Sequence, residues 1–306
     1  MQYGFLRCAA FSPALRVADC DYNADQIIAA MRQAAGQGVQ LLCLPELCLT
    51  GYTCSDLFLQ QTLYQGAEAA LARILAESRS CPLVVLVGLP VCQGGKLYNC
   101  AAVVAGGRLL GLVPKRHLPN YGEFYEHRHF APGPRQPVAV TVAGQPTRMG
   151  TDQLFVCAEM PELVLGVEIC EDLWAPVPPS CAHALAGATL VCNLSASDET
   201  VGKAAYRREL VAGQSGRLLC GYVAGHGEST TDMTFAGHDL IAENGALLAE
   251  AAPFGPGRAV TELDLGRLVQ ERVRSTTFVP DPAGYETVPF HLQPVELTLT
   301  RPFSPV

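Results

Sequence analysis

The chain reads as an α/β protein built in layers. Short runs of aliphatic and β-branched residues alternate with amphipathic helical stretches along most of its length, the signature of strands covered by helices. Several of those runs are apolar without interruption, as strands buried on both faces are. Hydrophobic residues make up 49% of the 306 and charged residues only 16%, which provides a large core and excludes a disordered chain.

The elements follow in order. Residues 5–11 (FLRCAAF) form a first strand. Residues 25–35 are helical, because Ile27, Ile28, Met31, Ala34 and Ala35 recur at i, i+3 and i+4. Gly36-Gln37-Gly38 ends that helix, and 39–44 is a buried strand. A second helix spans 63–80 and an aliphatic strand 83–89; residues 98–114 form a hairpin turning at Ala105-Gly106-Gly107-Arg108. Residues 114–137 are loop, crowded with proline, glycine, aromatics and charge. Strands at 163–169 and 190–194 flank a short helix at 181–186. A helix over 202–219 precedes strands near Tyr222, Phe235, Ala246 and Val260. The proline-rich end reads as an extended arm or linker, so the expected division is a domain over 1–275 and an arm over 276–306.

Composition excludes further classes. A net charge of −8, from 21 Lys and Arg against 29 Asp and Glu, argues against a nucleic-acid binder; the densest basic cluster is only Lys115-Arg116-His117. Apolar runs fall short of the 18–20 or so residues a membrane span needs, and residues 1–12 lack the pattern of a signal peptide. A soluble, cytoplasmic protein without a membrane partner is expected. The 13 cysteines sit mostly inside apolar runs, such as Cys43 in LLCLPE and Cys192 in LVCNLS, and read as small buried hydrophobes in a reducing compartment. No C-x-x-C pair occurs, and Cys43, Cys48 and Cys54 lack ligand spacing, so no metal site is expected.

Three strands end in reactive side chains, where open α/β sheets place their sites. LLCLPE delivers Glu46, LVPK delivers Lys115, and LGVEICED delivers Cys170. A carboxylate, an ammonium and a thiol form a set for acyl transfer. Glu46 takes the thiol proton and later activates water, while Lys115 stabilises the tetrahedral oxyanion together with the backbone N–H of the next residue, Glu171. Glu168, Glu171 and Asp172 would raise the thiol pKa, so they must point away or pair with cations. His117, His127 and His129 read as loop or core residues.

In their order and context, LPELCLTGY, PKRHLPNYGEFYEHRHF and GVEICEDLW resemble the Glu-Lys-Cys motifs of the nitrilase (carbon–nitrogen hydrolase) superfamily across residues 1 to about 265. The resemblance implies an αββα sandwich, two mixed sheets face to face with helices outside. It also implies a second glutamate, which F-x-E-x-x-x-F places at Glu126, with Glu123 the lesser candidate.

The stretches GHGESTTDMTFAGHDLIAENG, ENGALLAEAAPF and VCNLSASDETVGKAAYRREL are similar to the glutaminase domains of glutamine-dependent NAD+ synthetases. That similarity implies hydrolysis of glutamine, with Tyr121, Ser197 and Lys203 binding the substrate and ammonia passing to a C-terminal synthetase domain. It implies no cofactor for the glutaminase reaction; ATP and Mg belong to the synthetase domain. An SGGxDS phosphate loop does not occur here, so the chain is expected to be the amidase half alone. Homo-oligomerisation through the faces of the sandwich is also expected. The alternative is another nitrilase-type amidase, acting on an ω-amide, an N-carbamoyl compound or a nitrile.

Overall fold

A computed structural model of the chain describes residues 4–226, 233–255, 257–293 and 295–301. Two mixed sheets lie face to face. The first is an eight-stranded sheet that begins with β1 (Phe5–Phe11), β2 (Leu41–Cys43), β3 (Val84–Gln93), β4 (Lys96–Ala105), β5 (Arg108–Pro114), β6 (Val138–Val142) and β7 (Gln145–Met149). The chain then crosses to a second sheet through β8 (Gln153–Cys157), β9 (Val164–Ile169), β10 (Leu190–Ser195), β11 (Gly221–His226), β12 (Leu240–Glu243) and β13 (Ala246–Glu250). It returns as β14 (Arg258–Asp264), antiparallel to β1 at the edge of the first sheet, and ends in β15 (Glu286–Phe290), an edge strand of the second.

Strand alternation sorts the side chains into three cores. Leu6, Leu41, Leu86 and Val103 from the first sheet meet Val167, Ile169, Leu190 and Leu194 from the second, filling the space between the sheets. The opposite face of the first sheet, with Leu42, Val85 and Val87, is covered by Ile27 and Met31 of α1 (Cys20–Gly36) and by Leu71 and Ile74 of α2 (Gln61–Ser78). The outer face of the second sheet, with Val191 and Tyr222, is covered by Ala184 of α3 (Pro179–Leu185) and Val211 of α4 (Lys203–Leu218). This is the expected αββα sandwich. Leu86→Ala in the inter-sheet core would cost about 2–5 kcal/mol, the usual range for a buried leucine.

The first helix begins at Cys20, five residues before the expected start at residue 25, because the Asp19 side chain caps it through the Tyr22 amide. Several expectations need correction. Phe235 forms only an isolated bridge to Asp198, and the next strand starts at Leu240. The stretch 138–157 contains β6, β7 and β8, and α5 (Leu265–Arg274) follows β14; none of these was expected. The tail is extended but fastened along the body. β15 pairs in parallel with β8, the Tyr285 hydroxyl meets His183 at 2.8 Å, and Arg301 bridges Glu243 and the Glu262 carbonyl. The packed body therefore runs past residue 275. No helix among the described residues is long and apolar enough to cross a membrane.

Candidate active site

Glu46, Lys115 and Cys170 come from three strand ends, β2, β5 and β9, and the sandwich brings these ends together. The turn carrying Glu46 crosses directly over β3, an approach that requires Gly88: a Cβ there would lie 2.2 Å from the Leu47 amide nitrogen. Leu47 itself turns through positive φ (+50°), so the chain changes direction just after Glu46.

The charged groups form one buried junction. Lys115 donates from Nζ to Glu46 Oε1 at 2.7 Å and to Glu126 Oε1 at 2.6 Å. Asn99 donates to the same Glu46 oxygen at 2.7 Å, and the Ala196 amide donates to Glu46 Oε2 at 2.9 Å. The Tyr52 hydroxyl donates to Glu126 at 2.8 Å. Glu46, Lys115, Glu126 and Asn99 are at most a few per cent exposed, and Tyr52, the fifth side chain of the cage, is partly buried at its edge. Burial alone would lower the Lys115 pKa; Glu126 and Glu46 outweigh it and hold the ammonium well above the usual lysine range. Burial pushes Glu126 up to about 7, against the pull of Lys115. Glu123 is exposed and forms none of these hydrogen bonds.

Cys170 sits where β9 ends, at φ +45°, a left-handed conformation that costs a non-glycine residue on the order of 1 kcal/mol. Asn193 holds it there from both sides, accepting from the Cys170 amide at 3.1 Å and donating to its carbonyl at 3.4 Å. Ser195 in turn donates to the same Asn193 oxygen at 2.5 Å. The thiol lies 3.9 Å from the Ala196 carbonyl, so Ala196 contacts Cys170 through its carbonyl and Glu46 through its amide. Burial and the negative charge of Glu46 push the thiol pKa above its usual range, despite Lys115. Both effects favour the protonated thiol, so nucleophilic attack requires loss of its proton. Glu171 follows in the 3₁₀ turn Cys170–Leu173, at a position whose backbone N–H has no partner within the turn.

Of the two expected outcomes, the acids around the thiol meet amide and hydroxyl donors and not cations. Glu168 turns to the other face of the second sheet, accepting from the Ser180 amide at 2.8 Å and from the Tyr222 hydroxyl. Asp172 accepts from the amides of His117 (2.8 Å), Ile169 (3.0 Å) and Arg116 (3.2 Å). Glu171 accepts from the Tyr121 hydroxyl at 2.7 Å. His129 pairs with Asp56, away from the junction.

Tyr121, Ser197 and Lys203 form a second tier beside the junction. Tyr121 is exposed and stands edge-on to Phe124. Lys203 pairs with Asp198 and lies over the rings of Trp174 and Phe124, 5.5 and 5.8 Å from their centroids. Ser197 follows Ala196 directly and is buried. Part of GESTTDM, residues 227–232, lies outside the described residues. Among the described residues no cluster of His, Cys, Asp or Glu is arranged to hold a metal ion.

Sequence reasoning missed Tyr52, Asn99, Asn193 and Arg207. Tyr52 ends the LPELCLTGY motif and Asn193 opens NLSAS, so both lay inside motifs already singled out. Asn99 carried no local signal; it reaches Glu46 because β4 lies one strand from β3.

Comparison with known proteins identifies the family and the fold. The family model for carbon–nitrogen hydrolases matches residues 7–272. A glutamine-dependent NAD(+) synthetase of Mycobacterium tuberculosis is 43% identical over 282 residues, covering 90% of this chain and 42% of that protein. The crystal structure of a glutamine-dependent NAD(+) synthetase from Cytophaga hutchinsonii superposes with a TM-score of 0.74 at 32% identity, covering 85% of this chain and 43% of that one. An amidase from Nesterenkonia sp. shares the fold, with a TM-score of 0.68 at 22% identity over 90% of this chain and 98% of its own. The chain thus spans about two fifths of the length of the synthetases it matches.

Proposed function

Because the chain belongs to the carbon–nitrogen hydrolase family, we propose that it is a glutamine amidohydrolase working through a thioester on Cys170. The observation that carries the reading is the convergence of Glu46, Lys115 and Cys170 in one junction, in a chain 43% identical over 90% of its length to a glutamine-dependent NAD(+) synthetase.

The steps balance as follows. Cys170 Sγ attacks the side-chain amide carbon of glutamine while its proton passes to the Glu46 carboxylate. The oxyanion that forms is met by the Lys115 ammonium and the Glu171 N–H, a contribution of about 10²–10³-fold in rate for one such donor. Collapse of the intermediate breaks the C–N bond, and Glu46 returns the proton to the departing ammonia. Water then attacks the thioester carbon, giving a proton to Glu46; collapse breaks the C–S bond, Glu46 returns that proton to Cys170 Sγ, and glutamate leaves. The net reaction consumes glutamine and water and yields glutamate and ammonia, with no redox change. Glu126 keeps Lys115 aligned and charged throughout.

Tyr121, Ser197 and Lys203 are the proposed contacts to the amino-acid end of glutamine. Lys203 and Asp198 offer opposite charges side by side, which suits a zwitterion carrying an α-carboxylate and an α-ammonium. The ammonia is proposed to serve an NAD+ synthetase partner, which uses ATP and Mg to amidate nicotinic acid adenine dinucleotide. The length of the matched synthetases beyond the shared region supports that reading. All 13 cysteines are free, which supports a reducing, cytoplasmic setting.

The test is a substrate panel of glutamine, a simple ω-amide, an N-carbamoyl compound and a nitrile. Glutamine is expected to give the highest kcat/KM. Preference for any of the others would replace glutamine as the substrate while leaving the thioester chemistry in place.

A further inference from the structure

Arg207 is the largest fully buried side chain among the described residues, only 1% exposed, and the acyl-transfer chemistry makes no use of it. It projects from the second turn of α4, in the KAAYRREL stretch, back toward NLSASDE. Its Nη2 donates to Ser197 Oγ at 3.1 Å and to the Asp198 carbonyl at 3.1 Å. Its Nη1 donates to Glu199 at 3.0 Å and meets His238 Nδ1 at 2.9 Å.

The chemistry of these contacts is directional. A guanidinium has donors and no acceptor, so Ser197 Oγ accepts from Arg207. The hydroxyl hydrogen of Ser197 is thereby left to donate to some other acceptor. By the same rule His238 Nδ1 is the acceptor, so its ring hydrogen is on Nε2, which faces Glu250 at 2.6 Å; that pair holds the imidazole against the arginine. Arg207 also grips the Asp198 carbonyl, and the Asp198 carboxylate is the partner of Lys203. One buried cation therefore sets both a hydroxyl and an ion pair, immediately after the Ala196 peptide that touches Glu46 and Cys170.

We propose that Arg207 is a specificity-determining positioning residue: it orients Ser197 as a hydrogen-bond donor, and the Asp198–Lys203 pair beside it, toward the charged α-end of an amino-acid amide. This rests on the glutaminase reading and deepens it. Arg207 does not touch the scissile amide; it acts through Ser197 and Asp198. Its loss weakens recognition of the α-carboxylate and α-ammonium more than it weakens cleavage of the amide bond.

The experiment compares glutamine with propionamide, an amide lacking both α-groups, in wild type, Arg207→Met, Arg207→Lys, Ser197→Ala and the Arg207→Lys/Ser197→Ala double variant. KM for glutamine is expected to rise about ten- to a hundredfold in either Arg207 variant, the scale of one hydrogen bond to a charged group. The propionamide kcat/KM should fall much less. The double variant should bind glutamine little worse than the worse of its two parents, because the two residues act in series. Arg207→Lys keeps a buried cation beside Glu199, so it supplies the test if Arg207→Met does not fold. Equal losses on both substrates, an unchanged glutamine KM, or fully additive effects in the double variant would overturn the proposal. Failure of the wild type to hydrolyse glutamine while it cleaves propionamide would overturn the glutaminase reading and this proposal with it; the other outcomes bear on Arg207 alone.

Discussion

Asp172 accepts a 2.8 Å hydrogen bond from the backbone N–H of His117, so the loop that leaves Lys115 is fastened to the turn that presents Cys170. The same carboxylate takes the Ile169 amide at 3.0 Å, one residue before the nucleophile. The cation and the thiol, 55 positions apart in sequence, are thus indexed to one another by a single buried side chain.

Asp172→Ala should therefore damage both fold and rate. It strands buried amides, at about 1–3 kcal/mol each, and frees the Lys115 loop to shift. A drop in urea stability of several kcal/mol is expected, with kcat reduced at least tenfold in the protein that remains folded. Asp172→Asn keeps one acceptor oxygen and should lose less on both counts. Wild-type kcat and stability in the alanine variant would show that the link is incidental.

Glu46→Gln and Lys115→Met should act on the chemical step. The glutamine side chain still accepts from Lys115 and Asn99 but cannot take the thiol proton, so kcat should fall by about 10²-fold or more. Lys115→Met removes an oxyanion donor and leaves Glu46 and Glu126 without their shared cation, so a loss of at least about 10²–10³-fold is expected. A rise in KM with kcat preserved would contradict these roles.

Stability should decline as the solution turns alkaline. Burial pushes Glu126 up to about 7 and Asp172 up to about 8, both above the ordinary carboxylate range. Between about pH 4.5 and those values the unfolded chain has released protons that the native chain still holds, so raising the pH favours unfolding. Their stabilising contribution is complete below about pH 4 and is lost as the pH rises through 7 and 8. Melting temperature should fall by on the order of a few degrees from about pH 5 to about pH 8, and by less in Glu126→Gln. An identical pH slope in wild type and Glu126→Gln would refute the assignment for Glu126.

Much of this was legible before the structure, for identifiable reasons. The strands that deliver Glu46, Lys115 and Cys170 are mostly apolar and mostly buried, interrupted only by Arg108 at the start of β5 and Glu168 near the end of β9. Strand β7 reads QPTRM, half-exposed and polar, and β15 reads ETVPF with a proline at an edge position; neither carries an apolar period. The supporting shell was hidden for a different reason. Asn99 meets Glu46 across 53 residues and Asn193 meets Cys170 across 23, contacts created by strand order and not by local pattern. The fate of Glu168 was likewise open, since only the sheet decides which face a strand residue occupies.

Cys170, alone among 13 cysteines, is proposed to carry the acyl group. Cys92 is the exposed thiol of the chain, so a nonspecific alkylator should find it readily, whereas the buried Cys170 should react with a substrate that brings its own binding energy. Acid-quenched turnover of glutamine, followed by peptide mapping by mass spectrometry, reads this directly. The account predicts one γ-glutamyl group on the peptide that contains Cys170, absent from the Cys170→Ala variant together with glutamate release. A γ-glutamyl group on Cys92 or any other residue, or glutamate still produced by Cys170→Ala, would contradict it.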